Sequence, residues 1–110
     1  MQKLSLDARV RENLARATTS STGRSAETVY GGHEHTLRQT LIALRAGSSL
    51  AEHESPGEAT VLVLHGRVRL HSGDTTWEGM TGDLLIVPAA RHSLEAIEDA
   101  AALLTVAKPV

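Results

Sequence analysis

From Tyr30 onward, short apolar and β-branched runs alternate with glycine-bearing turns, a punctuation that suits strands and breaks helices. The runs are Leu37 to Ala43, Thr60 to Leu64, Arg67 to Leu70, Leu84 to Val87 and Leu103 to Val106. Glycines at 31, 32, 47, 57, 66, 73, 79 and 82 are read as lying between them, and Gly66 and Ser72-Gly73-Asp74 as hairpin turns. Short strands at this spacing predict an all-β sandwich or small barrel. Thr60-Val-Leu-Val-Leu64 is apolar at nearly every position, so both of its faces need cover. One face lines the barrel; the other calls for the N-terminal helix or a second copy of the chain, and a homodimer is expected.

Before the strands, Leu6, Val10 and Leu14 recur at every fourth position between Asp7, read as the N-cap, and Ala17. This predicts a short amphipathic helix. Thr18-Thr-Ser-Ser-Thr-Gly23 then reads as a polar linker. The expected division is a helical arm and linker over 1–24 and a barrel domain over 25–110. The arm's basic residues, Lys3, Arg9, Arg11, Arg16 and Arg24, are taken as a solvated helix face.

Composition narrows the functions. A net charge of -2 and only Tyr30 and Trp77 as aromatics supply neither a field for phosphates nor stacking platforms, so nucleic acid is not an expected partner. No apolar run approaches the roughly 20 residues of a membrane helix, and Asp7 and Glu12 interrupt the start of the chain where a signal peptide needs an apolar stretch. A cytoplasmic protein is expected. With no cysteine, any metal must be held by nitrogen and oxygen donors. There is no phosphate-binding glycine loop and no glycine-flanked serine at a strand-to-helix turn.

Two segments carry the chemistry: Gly47-Ser-Ser-Leu-Ala-Glu-His53-Glu-Ser55-Pro-Gly-Glu58-Ala59, running to Gly66, and Gly82-Asp-Leu-Leu-Ile-Val-Pro88-Ala-Ala-Arg-His92. Together, over about Leu37 to Val106, they resemble the two motifs of the cupin superfamily. Gly47, His53 and Gly66 match the first motif, and Gly82, Pro88 and His92 the second, with His92 one residue early. Ser55 stands in the place of the family's second histidine, Ala59 in that of its glutamate and Ala90 in that of a glycine. The resemblance implies a cupin-like jelly-roll β-barrel whose site lies inside the mouth, which the short N-terminal amphipathic helix read above would precede.

Residues 53 and 55 share a strand face, so a histidine pair at that spacing grips one ion from within a barrel. A serine hydroxyl is a poor ligand for transition metals and alanine is none. Glu58 could stand in for the glutamate only through a bulge, since a regular strand turns it opposite to Ala59. His33 and His35 would share one side of an extended segment and chelate if it reached the mouth; otherwise they belong to a solvated loop. Gln39, on the parity of His35 and Leu41, becomes a specificity group if that row faces the lumen, with Arg38 on the neighbouring face. His65 and His71 are read as surface residues.

Three functions fit these residues. In the first, His53 and His92, helped by His33, His35 or Glu58, hold a divalent transition metal (Fe, Zn, Ni, Mn or Cu) that acts on a small molecule. In the second, the pocket binds or senses a small molecule without metal, and the two histidines and Gln39 supply hydrogen bonds. In the third, a histidine transfers protons without metal. No residue pattern names a substrate.

Overall fold

The computed structural model describes residues 2–53 and 57–108, with only the backbone of Glu52 and His53; Ser55 lies outside the described residues. Among them are one helix, α1 (Leu6–Thr19), and nine strands: β1 (Arg24–Gly31), β2 (Leu37–Leu44), β3 (Ser49–His53), β4 (Glu58–His65), β5 (Arg67–Ser72), β6 (Thr75–Met80), β7 (Leu84–Val87), β8 (His92–Ala96) and β9 (Ala100–Ala107). The predicted runs fall within β2, β4, β5, β7 and β9. All pairings are antiparallel, in a five-stranded sheet of order β1-β2-β9-β4-β7 and a four-stranded sheet of order β3-β8-β5-β6.

The sheets meet through their alternate residues. Ile42, Leu44, Val61 and Val63 of the first pack with Val68, Leu70, Leu94 and Ala96 of the second in one buried cluster. Strand registers order the inner face of the five-stranded sheet into rows: Arg38, Val106, Ala59, Val87; then Thr40, Leu104, Val61, Leu85; then Ile42, Ala102, Val63. Fully burying each Val, Leu or Ile stabilises by about 1.5–3 kcal/mol, so these rows are the main source of stability.

The odd-numbered row of β2 faces outward, under α1. Leu41, Ala43 and Ala101 form a second cluster with Val10 and Ala17, bordered by Leu14, Val29 and Leu64. The helix thus covers the outer face of β4 at Leu64, whereas Leu84 and Ile86 on the edge strand β7 are 56% and 68% exposed.

The helix starts earlier than a cap at Asp7 would allow. Ser5 is the N-cap, its hydroxyl accepting from the Ala8 amide at 3.2 Å, and Asp7 sits in the first turn, where a negative charge favours the helix dipole. At the other end Thr18 and Thr19 remain helical, because their hydroxyls donate back to the carbonyls of Leu14 and Ala15. The linker shrinks to the turn from Ser20 to Gly23, whose amide bonds the Ser20 carbonyl, and pairing of β1 begins at Arg24.

Gly66 and Gly79 depart from their predicted roles, and Gly31 closes β1 rather than lying outside the strands. Gly73, at φ 57°, does turn the β5–β6 hairpin, but Gly66 carries the chain from one sheet to the other. At φ 82° a β-carbon there would lie 2.1 Å from the Asp99 carbonyl oxygen, so the corner admits only glycine without rearrangement. Gly79 lies within β6 rather than between strands, facing Leu85 and Val63.

Asn13 fastens the helix. It is fully buried; its amide nitrogen donates to the Arg9 carbonyl at 2.9 Å and to Glu27 Oε1 at 3.0 Å, and its oxygen accepts from the Ser25 hydroxyl at 2.8 Å. Removing one member strands the others in a water-poor seam. Asn13→Ala is therefore expected to lower the unfolding free energy in urea by about 1–3 kcal/mol, while Leu4→Ala, at an exposed position, changes it by less than about 0.5 kcal/mol.

Candidate functional site

A small cavity of about 20 Å³ lies between the sheets. That exceeds what one ordered water needs. Ile42, Val61, Ala102 and Leu104 form its wall on the five-stranded sheet. Leu50, Leu70, Leu94 and His92 form the wall opposite, so His92 is the single polar residue in this described lining.

The route from Val87 to His92 explains how this imidazole comes inside. The Ala90 amide bonds the Pro88 carbonyl at 2.8 Å, and this tight turn makes His92 the first residue of β8. Along β8, His92, Leu94 and Ala96 are buried and Ser93 and Glu95 less so; His92 is 5% exposed. Its Nδ1 lies 3.0 Å from the Ala90 carbonyl oxygen, which can only accept. The proton therefore sits on Nδ1, and in the neutral ring Nε2 carries a lone pair.

The backbone of His53 sits opposite that of His92. Between the pair Leu50 and Leu94 and the pair His53 and His92, β3 advances three residues and β8 two, so a bulge in β3 sets this register. The two motif histidines thus meet as strand partners.

The other predicted residues lie elsewhere. Gln39 and Leu41 are on the outer row, and Gln39 Nε2 donates to Thr105 Oγ1 at 3.2 Å. The inner row instead carries Arg38 and Thr40. Glu58 opens β4 as an exposed residue, while its neighbour Ala59 is buried in the inner cluster, so the regular strand alternation holds. His33 and His35 are exposed in the turn between β1 and β2; the His35 amide bonds the Gly32 carbonyl and its ring packs on Tyr30 with centroids 5.5 Å apart. His65 is exposed. His71 is half-exposed on the outer face of the second sheet, 2.9 Å from Glu95. On that same face Arg69, and then Arg67, hold the Glu78 carboxyl below its ordinary range, in open solvent and away from the cavity.

A divalent transition metal needs several converging imidazoles or carboxylates. Among the described residues no three histidine, aspartate or glutamate side chains converge. The cavity wall offers one imidazole among aliphatic groups, and the row next to it places Ala59 between Val106 and Val87. This described donor set does not fit such an ion.

The fold and its pocket define a double-sheet, jelly-roll type of barrel. No protein-family model and no curated protein matches the sequence. Solved structures do. A protein of unknown function from Streptococcus pyogenes aligns over 83% of this chain and 79% of its own at 28% identity and a TM-score of 0.74. An RmlC-like cupin protein from Desulfovibrio desulfuricans aligns over 79% and 84% at 25% identity and a TM-score of 0.68. A point mutant of salicylate 1,2-dioxygenase from Pseudoaminobacter salicylatoxidans aligns over 96% of this chain but 34% of its own at 22% identity and a TM-score of 0.75. By its fold the chain belongs to the cupin superfamily. The dioxygenase likeness carries the fold alone. Among the described residues no helix is long and apolar enough to cross a membrane.

The cavity wall and the displaced carboxylate separate in stability measurements. Leu94→Ala is expected to cost about 2–5 kcal/mol in urea unfolding. Glu58→Ala, at an exposed strand end, is expected to change stability by less than about 0.5 kcal/mol.

Proposed function

We propose that this chain binds a small, largely apolar molecule in the cavity between its sheets without a metal, with His92 as the polar anchor and His53 beside it in the strand register. One observation carries this: among the described residues of the cavity wall, one imidazole, its Nδ1 against the Ala90 carbonyl, stands among aliphatic side chains. Such a wall supplies affinity through burial, at about 25 cal/mol per Å² of apolar surface, and a lone polar group supplies orientation. Chelator-treated, untagged protein is expected to show a saturable rise in Tm with methanol or ethanol at millimolar concentration, probes in keeping with a cavity little larger than one water. His92→Leu is expected to weaken binding of at least one of them by about tenfold, the worth of one good hydrogen bond. No Tm response to either probe, or a response that returns only when a metal is added, overturns the proposal.

A second function, a divalent metal acting with a small molecule, draws support from two features. The His53 and His92 backbones are strand partners, and His92 donates its Nδ1 proton to a carbonyl, as metal-bound imidazoles commonly do. Near-stoichiometric metal in the untagged protein, with a Tm that falls in chelator, would favour it over the first.

The expected homodimer also remains a proposal. Leu84 and Ile86 form an exposed apolar strip on the outer side of β7, the edge strand, beyond the reach of α1. A second copy related by a two-fold axis would bring the same strip against it and close the assembly. Sedimentation at micromolar concentration is expected to give twice the chain mass, and Ile86→Lys to give a monomer of unchanged fold; a monomeric wild type removes the dimer.

A further inference from the structure

Polar and apolar residues alternate along β5: Val68 and Leu70 are buried between the sheets, and Arg67, Arg69 and His71 take the outer face. The two-residue turn Gly73-Asp74, with Gly73 at φ 57°, fixes the register of the hairpin, so Thr76 stands opposite His71 and Glu78 opposite Arg69. On the other side of β5, Ser93 stands opposite His71 and Glu95 opposite Arg69. The helix packs on β1, β2 and β9 of the five-stranded sheet and so does not cover this face. Its cross-strand neighbours are polar throughout, and three of them are bonded in series.

Glu95 Oε1 lies 2.9 Å from His71 Nε2, and Thr76 Oγ1 lies 3.4 Å from His71 Nδ1. A carboxylate can only accept, so Nε2 carries the proton, and in the neutral ring Nδ1 keeps the lone pair. The Thr76 hydroxyl is then the donor to Nδ1. Hydroxyl, imidazole and carboxylate stand in the order by which a base, oriented by a third group, activates a nucleophile. A contact of 3.4 Å is long, as such contacts commonly are before substrate is present. Arg69 stands opposite both carboxylates, yet its guanidinium binds Glu78 at 3.2 Å, where Arg67 joins it at 3.4 Å, and Glu95 is left to the imidazole. His71 and Glu95 are half-exposed and Thr76 is exposed, so a reagent in solvent reaches the hydroxyl.

We infer that Thr76 is a nucleophile that takes acyl groups from small activated esters, with His71 as its general base and Glu95 as the residue that positions the imidazole. The site is on the outside of the barrel and does not depend on the pocket proposed above. Thr76 Oγ1 bonds to the acyl carbon, its proton passes to His71 Nδ1, and the ester's carbon–oxygen pair departs with the leaving group. Water then attacks the acyl-threonine, Nδ1 takes a proton from it, and Thr76 Oγ1 leaves and is reprotonated, so that ester and water become acid and alcohol. An exposed strand position offers little surface for binding, so the acyl donor must carry a group that departs readily as an anion. An aryl ester meets this; an alkyl ester does not.

The test exposes the full chain briefly to p-nitrophenyl acetate at neutral pH, follows nitrophenolate release, and maps acetyl groups by peptide mass spectrometry after an acid quench. Thr75 is the internal control, because it is exposed on the same strand but stands opposite Ser72 rather than an imidazole. Thr76 is expected to acetylate at least about tenfold faster than Thr75; general bases in built active sites give roughly a hundredfold or more, and the long contact lowers that. The rate at Thr76 should fall to that of Thr75 in His71→Gln, fall in Glu95→Gln, and return in large part in Glu95→Asp. Release that Thr76→Val abolishes without label accumulating in the wild type also supports the inference, as the mark of deacylation faster than acylation. The wild-type comparison of Thr76 with Thr75 stands even where a variant fails to fold. Equal acetylation of the two threonines with release unchanged in Thr76→Val, an unchanged rate at Thr76 in His71→Gln, or acetyl resting on His71 in place of Thr76 overturns it.

Discussion

The parity of three neighbouring strands, β2, β9 and β4, decides everything else in this barrel. Side chains alternate across a sheet with a period of two, so one row of each strand goes between the sheets and the other goes out. Here both destinations are apolar: Ile42, Ala102 and Val63 pack inward while Leu41, Ala101 and Leu64 pack under α1. A one-residue slip would leave both faces apolar and would therefore not be punished by hydrophobicity alone. Specificity has to come from groups with fixed geometry. Asn13, bonded to Ser25 and Glu27, ties the helix to β1, and Gly66, pressed against the Asp99 carbonyl, fixes the corner where β4 ends.

The same double burial explains what could and could not be read from the sequence. The apolar runs located β2, β4, β5, β7 and β9, because their inner rows are built of branched aliphatics. β1 and β6 carry largely exposed or half-exposed residues and so lack that signature, and β3 and β8 are short strands interrupted by polar residues. The motifs placed His53 and His92 in one neighbourhood, and the strand register makes them partners. The side of β2 was not legible: Leu41-Ile42-Ala43-Leu44 is buried at every position, so the run does not say whether Gln39 or Arg38 shares the inner row. Only the position of the helix settles it. The Glu58 question, by contrast, was open to simple alternation, and Ala59 takes the inner place.

Membership of a fold family constrains the scaffold far more than the chemistry, because sites are built from a few side chains at the ends of strands. In this chain one of the positions that resemble ligand positions, Ala59, is aliphatic. Ala59 lies in the inner cluster, and among the described residues seven aliphatic side chains share the cavity wall with His92. A low-dielectric wall of this kind raises the cost of any unpaired charge and the value of any well-placed hydrogen bond.

The buried imidazole answers that cost through the backbone. His92 is held by the turn from Pro88 to Ala90, its tautomer set by a backbone carbonyl, so it arrives oriented before any ligand does. Arg38 stands half-buried on the outermost inner row of the five-stranded sheet. In the binding reading proposed above, the short turn before β8 matters as much as the cavity itself, because lengthening that turn would release the imidazole while leaving every aliphatic contact in place.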